Sequence, residues 1–155
     1  MDVVKTLAGH EFFRPFTPEQ VEKISRFATS KTLAAGDVVH ELNRKTTHVF
    51  LLLEGRVDLL LPGDGGEAGV LIKRVVKGDL FGIASILGAD RYTTRGICTE
   101  DSKVLFIEAK PLLELLRANP EIDRLILRVV ARTYFNRYQI LAELVQRFLS
   151  DPGLR

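Results

Sequence analysis

Residues 49–57 read Val49-Phe50-Leu51-Leu52-Leu53-Glu54-Gly55-Arg56-Val57: five apolar residues, an acidic residue and a glycine, then the start of a second β-prone run. A short apolar run with β-branched and aromatic residues at its head, closed by glycine, reads as a strand that reverses into another strand. The same unit recurs outward in both directions. β-Prone runs fall at Asp37 to His40, His48 to Glu54, Arg56 to Leu61, Val70 to Val76, Arg95 to Cys98 and Lys103 to Ile107. Gly36, Gly55, Gly63, Gly65, Gly66 and Gly78 punctuate them where the chain must turn or bulge. Pro62-Gly63-Asp64-Gly65-Gly66 marks a hairpin tip. Strands of this length and spacing predict a sandwich or roll.

The flanks are helical. Thr17-Pro18-Glu19-Gln20 offers a capping hydroxyl, a proline at the first helical position and a glutamine three residues after the cap, ahead of Val21, Ile24 and Phe27 on one face. Leu7, Phe12, Phe13 and Phe16 form an apolar lead-in expected to pack beneath a sheet. On the other side Pro111 is expected to open a helix that stops near Asn119-Pro120, because proline disfavours helix in its predecessor. From Glu121 to about Leu149 neither proline nor glycine occurs, which predicts a helix of roughly 43 Å at 1.5 Å per residue. Leu127, Val130, Tyr134, Leu141, Leu144 and Phe148 follow a 3-4 spacing along it, interrupted by Arg137, with Ile122, Ile126, Val129, Ile140 and Val145 as a neighbouring stripe. Such a helix can pack on its own sheet and keep apolar surface for a partner, and a homodimer through it is expected.

At 155 residues, 46% hydrophobic and 27% charged, the chain fits one domain with a real core. The expected division is 1–30 for the N-terminal helical segment, 31–108 for the roll and 109–149 for the C-terminal helices. A net charge of +2 gives no field that argues for nucleic acid or an anionic membrane. Cys98 is the one cysteine, which excludes an intrachain disulfide and is read as a small buried strand residue. His10, His40 and His48 make no metal-ligand spacing. Residues 1–10 lack the apolar stretch of a signal peptide, and no run approaches a membrane span. A cytoplasmic location, no metal and no required cofactor are the expectations. Glu54, Asp58, Asp64, Asp79 and Glu100 sit at strand ends and turns, where acidic residues are common, so no enzyme is expected. The neighbourhood Leu42-Asn43-Arg44 has no His-x-His pair of the kind a metal-dependent cupin needs.

Gly36-Asp37-Val38-Val39, the stretch from Val49 to Val57, and Gly78-Asp79-Leu80-Phe81-Gly82, in that order between a short helix and a long one, resemble the cyclic nucleotide-binding domain family over residues 7 to 145. The resemblance implies the α+β class: an antiparallel, jelly-roll-like β-roll flanked by a short N-terminal helix and a long C-terminal helix. Residues 81 to 94, Phe-Gly-Ile-Ala-Ser-Ile-Leu-Gly-Ala-Asp-Arg-Tyr-Thr-Thr, are similar to the family's phosphate-binding cassette, which implies a ligand site at Gly82, Ile83, Ala84, Ser85, Arg91, Tyr92 and Thr93. There the first amides of a helical turn face an anion and Arg91 bonds it as a bidentate cation. Arg95, two strand positions on from Thr93, is a further candidate charge. Arg132, Thr133 and Asn136 on the long helix are the candidates for capping a base, although Arg124, Arg128 and Arg132, repeating every four residues, read first as a solvated basic stripe.

Two positions depart from the pattern. Ile83 stands where the family has a glutamate for the ribose 2′-hydroxyl, and losing a charged hydrogen bond weakens cyclic AMP or cyclic GMP by about 10- to 150-fold. Tyr92 stands where the family has a small residue, and its ring either turns away or enters the phosphate pocket. Three readings follow. The first is a regulatory domain binding a cyclic nucleotide or related phosphate-containing ligand and signalling through the long helix. The second is a degenerate relative that serves as a dimerisation or protein-docking scaffold. The third is the sensor part of a transcription regulator, with direct DNA reading by this chain alone not expected.

Overall fold

The computed structural model describes residues 1–64 and 69–154. Eight strands run β1 (Ala28–Leu33), β2 (Val38–His40), β3 (His48–Glu54), β4 (Val57–Leu61), β5 (Val70–Val75), β6 (Leu80–Phe81), β7 (Arg95–Cys98) and β8 (Ser102–Glu108). They form two antiparallel four-stranded sheets, ordered β1-β8-β3-β6 and β2-β7-β4-β5. Helices α1 (Val3–Ala8) and α2 (Pro18–Ser25) precede them, while α3 (Ala109–Arg117) and α4 (Pro120–Ser150) follow. This is the expected α+β roll with a short N-terminal helix and a long C-terminal one. Gly65 and Gly66 of the expected hairpin tip lie outside the described residues, and the pairing of Leu61 with Val70 brackets that tip.

The apolar run that opens the sequence reading owes its length to two cores. Alternate residues of a strand point to opposite faces, so Val49, Leu51 and Leu53 join Leu105, Ile107 and the helices in one core, whereas Phe50 and Leu52 join Val57, Leu59, Val75, Cys98 and Val104 in the space between the sheets. β3 is buried on both sides, and an alternating polar pattern would expose one core to water.

The cap expected at Thr17 is present in full: its hydroxyl accepts from the Gln20 amide at 3.2 Å, and the Gln20 side chain accepts from the Thr17 amide at 2.9 Å. Four elements differ from the sequence reading, the first being α1, which lies where only an apolar lead-in was expected. β1 begins at Ala28, where Ala-Thr-Ser-Lys-Thr-Leu gives no apolar run, because the strand lies at the edge of its sheet and pairs only with β8. The two-residue β6 is too short to announce itself. α3 begins at Ala109 and not at Pro111, since a proline within the first turn removes no helical hydrogen bond.

Gly55 makes the reversal from β3 to β4 with φ of +91°, and a Cβ there would stand 2.3 Å from Ser102 Oγ and 2.5 Å from the Asp101 carbonyl oxygen. Gly55→Ala therefore combines left-handed strain with a collision against backbone, and is expected to remove about 3 kcal/mol of stability. Urea unfolding reads it, and an unchanged midpoint would show that the turn is free to rearrange.

Candidate functional site

The cassette begins as its sequence suggests. Gly82 has φ of +63°, and Ile83–Leu87 forms a single 3-10 turn closed by Gly88. A Cβ on Gly82 would lie 2.6 Å from the Phe50 ring, so glycine is required by both conformation and close approach. Among the side chains of this turn, Ile83 borders a hollow that it shares with His10, Asp79, Val130 and Arg132. Ile83 and Ile86 are buried in the helix-side core with Ile126 and Val130 of α4, and Ala84 and Ser85 are buried as well. The isoleucine at the position of the family's glutamate makes the turn part of the surface on which α4 rests.

Arg91 and Tyr92 divide the inside and the outside of the roll between them. The Arg91 guanidinium is exposed and donates from Nη1 to the Asn43 carbonyl at 2.7 Å, fastening the segment around residue 91 to the loop before β3. Neither Asp90 nor Glu100 pairs with it, and Glu100 instead meets Arg56 at 3.3 Å. Tyr92, one residue on, points inward and is buried. Its hydroxyl accepts from the amides of Thr47 at 3.2 Å and His48 at 3.0 Å and donates to the His48 carbonyl at 2.9 Å. Thr93 is exposed, and Thr94 is buried with its hydroxyl 3.2 Å from His40 Nε2.

The space between the sheets is consequently aromatic. The His40 ring stacks on Phe50 at 5.5 Å and meets Tyr92 at 4.7 Å, and Phe50 stacks on Phe81 at 5.2 Å. Gly96 permits this: a Cβ there would lie 2.6 Å from the His40 ring. Burial, reinforced by the charge of Arg137 and opposed by the bond to Thr94, lowers the His40 pKa to about 4. His40 Nδ1 is buried without a hydrogen-bond partner.

Across the mouth of the second sheet lies α4, and one residue of it changes the reading. Arg137, the interruption in the apolar spacing, is only 8% exposed, on the stripe of Ile126 and Val130. Its Nε and Nη2 have no hydrogen-bond partner, and its guanidinium carbon sits 5.0 Å from the centre of the Tyr134 ring. It lines two hollows. One, of about 290 Å³, is walled by Leu61, Ile72, Thr93, Thr94, Tyr134, Tyr138 and Leu141; the other, of about 480 Å³, by Leu71, Ile72, Lys73, Arg74, Thr133, Asn136 and Ile140. Arg95 spends its charge on Glu41 at 3.3 Å. Of the candidates on α4, Thr133 and Asn136 line the larger hollow, while Arg132 borders a separate one with His10 and Asp79. Arg124, Arg128 and Arg132 are all exposed. The sequence signal for Arg137 was its place in an otherwise apolar row.

Two sheets rolled around an aromatic interior, with a glycine-led turn and a long helix packed against that turn and β5, define a β-roll domain. The family model for the cyclic nucleotide-binding domain matches residues 30–119, more than half of the chain, and the protein belongs to that family. Among solved structures it is similar to a protein of Geobacter metallireducens GS-15 described as cyclic nucleotide-binding, with 27% identity, a TM-score of 0.75 and coverage of 89% of this chain and 99% of that one. It is also similar to the sensor domain of the transcriptional regulator DNR from Pseudomonas aeruginosa, with 18% identity, a TM-score of 0.71 and coverage of 97% and 94%. The catabolite activator protein of Thermus thermophilus shares 19% identity at a TM-score of 0.69 over 88% of this chain and 63% of that one. The last two likenesses are of fold. No curated protein sequence matches the chain. Among the described residues no helix is long and apolar enough to cross a membrane.

Proposed function

We propose that this domain is a ligand-responsive regulatory module: a cyclic nucleotide or a related phosphate-containing ligand enters the hollow under α4, changes how α4 packs, and α4 passes the change to a second copy of the chain. The observation that supports this reading is the double role of one helix. Thr133, Asn136 and Arg137 of α4 wall the hollows, while Phe135, Tyr138, Val145 and Phe148 on the same helix are more than half exposed. A ligand can shift α4 only by binding its two packings with different affinity. The helix also touches the cassette turn and β5, so both sides of the hollow bear on it.

Light scattering and hydrogen exchange test the reading together. The wild type is expected to be a dimer, Phe148→Glu a monomer, and cyclic AMP, cyclic GMP or cyclic di-GMP to change amide protection along α4. A monomeric wild type, or protection that no nucleotide alters, would end the sensing reading. The second reading, a scaffold that has lost its ligand, draws support from the Tyr92 ring inside the roll and from Ile83 in the core. Its signature is a dimer that responds to none of the three.

A further inference from the structure

We propose that the anionic group of the ligand is held by Arg137 of α4, from the helix side of the hollow, and not by Arg91 of the cassette. This rests on the sensing reading above and names the charge at its site. Arg137 is more than nine-tenths buried, two of its nitrogens have no partner, and no carboxylate of the described residues lies within ion-pair distance of it. Tyr134 offsets part of the cost of burying the charge, but a buried cation without a carboxylate partner still destabilises a fold, and apolar side chains of similar volume do better in such places. The other cations of the larger hollow are already paired, Arg74 with Asp58 at 3.2 Å and Lys73 with Asp79 at 3.4 Å, whereas Arg95, which meets Glu41 at 3.3 Å, lines neither hollow.

The walls of the smaller hollow describe the rest of the ligand. Leu61, Ile72 and Leu141 are aliphatic, Tyr134 and Tyr138 add aromatic rings, and Thr93 and Thr94 complete the wall, the Thr94 hydroxyl being turned to His40. That lining suits a small molecule with one anionic group and a planar or apolar body. Its anion meets the planar fork of a guanidinium, which bonds a phosphate bidentately. Arg91, fastened to the Asn43 carbonyl on the outside, has Tyr92 between itself and the interior.

Calorimetric titration of the full chain with cyclic AMP, cyclic GMP and cyclic di-GMP, with inorganic phosphate as the plain-anion control, tests the assignment on wild type, Arg137→Met, Arg137→Lys and Arg91→Ala. Arg137→Met is expected to weaken whichever nucleotide binds by about 10- to 150-fold, Arg137→Lys to restore part of that loss, and Arg91→Ala to change it less than twofold. Without ligand, Arg137→Met is expected to melt roughly 5 °C above wild type, because a buried charge that no carboxylate pairs is gone. Binding lost in Arg91→Ala and kept in Arg137→Met would overturn the assignment and leave the sensing reading standing. A melting temperature that falls in Arg137→Met would also overturn it, by showing a guanidinium engaged in the fold itself. Heat from phosphate alone equal to that from the nucleotides would mark Arg137 as an adventitious anion point and overturn the shaped-ligand claim. No heat from any nucleotide with wild type would defeat the assignment and the sensing reading together.

Discussion

Tyr92→Ala is expected to remove about 5 kcal/mol of stability, a large share of what a domain of this size possesses. The ring is 4% exposed and packs against His40 and Phe50, so truncation opens a cavity in the middle of the roll. The hydroxyl adds to the effect, because its loss leaves two amides and a carbonyl at the head of β3 without their partner. Tyr92→Phe separates the two contributions: it keeps the ring and is expected to cost about 2 kcal/mol. Urea unfolding of both variants measures the split. An alanine variant within about 1 kcal/mol of wild type would mean that the ring does not fill the interior, and the roll would then hold an open pocket where Tyr92 is placed.

Acid is expected to weaken the fold through His40. Its pKa is 6.5 as the ordinary value and about 4 in the folded protein, lowered by burial first and by the Arg137 charge second. Above pH 6.5 the ring is neutral in both states and the fold has its full stability. As the pH falls from 6.5 toward 4 the unfolded chain takes up a proton that the folded one refuses, which removes about 3 kcal/mol over that window. Carboxylates add their own acid dependence, so the measurement is the difference between wild type and His40→Gln. The wild-type curve should fall more steeply between pH 6.5 and 4, and parallel curves would exclude His40 as the group. In Arg137→Met the His40 resonances should titrate at a higher pH than in wild type, since one of the two lowering influences is removed.

The strands that carry the site were legible because burial on two faces leaves a strong mark. The Val49 to Leu53 run and its closing glycine could be placed to the residue, as could the capping box at Thr17 and the glycine-led turn at Gly82. β1 and β6 were not, one being polar at a sheet edge and the other two residues long. For the candidate site, the stretch from Gly82 to Thr94 was legible and the direction of each side chain was not. Inward and outward positions alternate residue by residue, so motif matching placed the charge at Arg91 and could not tell that Tyr92 would take the inward direction. The contribution of α4 was hidden differently. Its apolar spacing read as one seam from Leu127 to Phe148, but the roll covers the helix only as far as Leu141. Ile126, Val130 and Arg137 face the domain and are buried, whereas Leu144 and Phe148 are exposed.

That uneven cover makes α4 a lever. Arg137 is the last buried residue of α4, and the unbroken helix runs thirteen residues further, through Ser150, roughly 20 Å at 1.5 Å each. A tilt of about 10° pivoting at the guanidinium swings the far end by roughly 3 Å over that arm, about the width of a methyl group, and enough to take a packed side chain out of register with whatever it meets there. On the sensing function proposed above, a ligand beside the fulcrum would be felt at the tip.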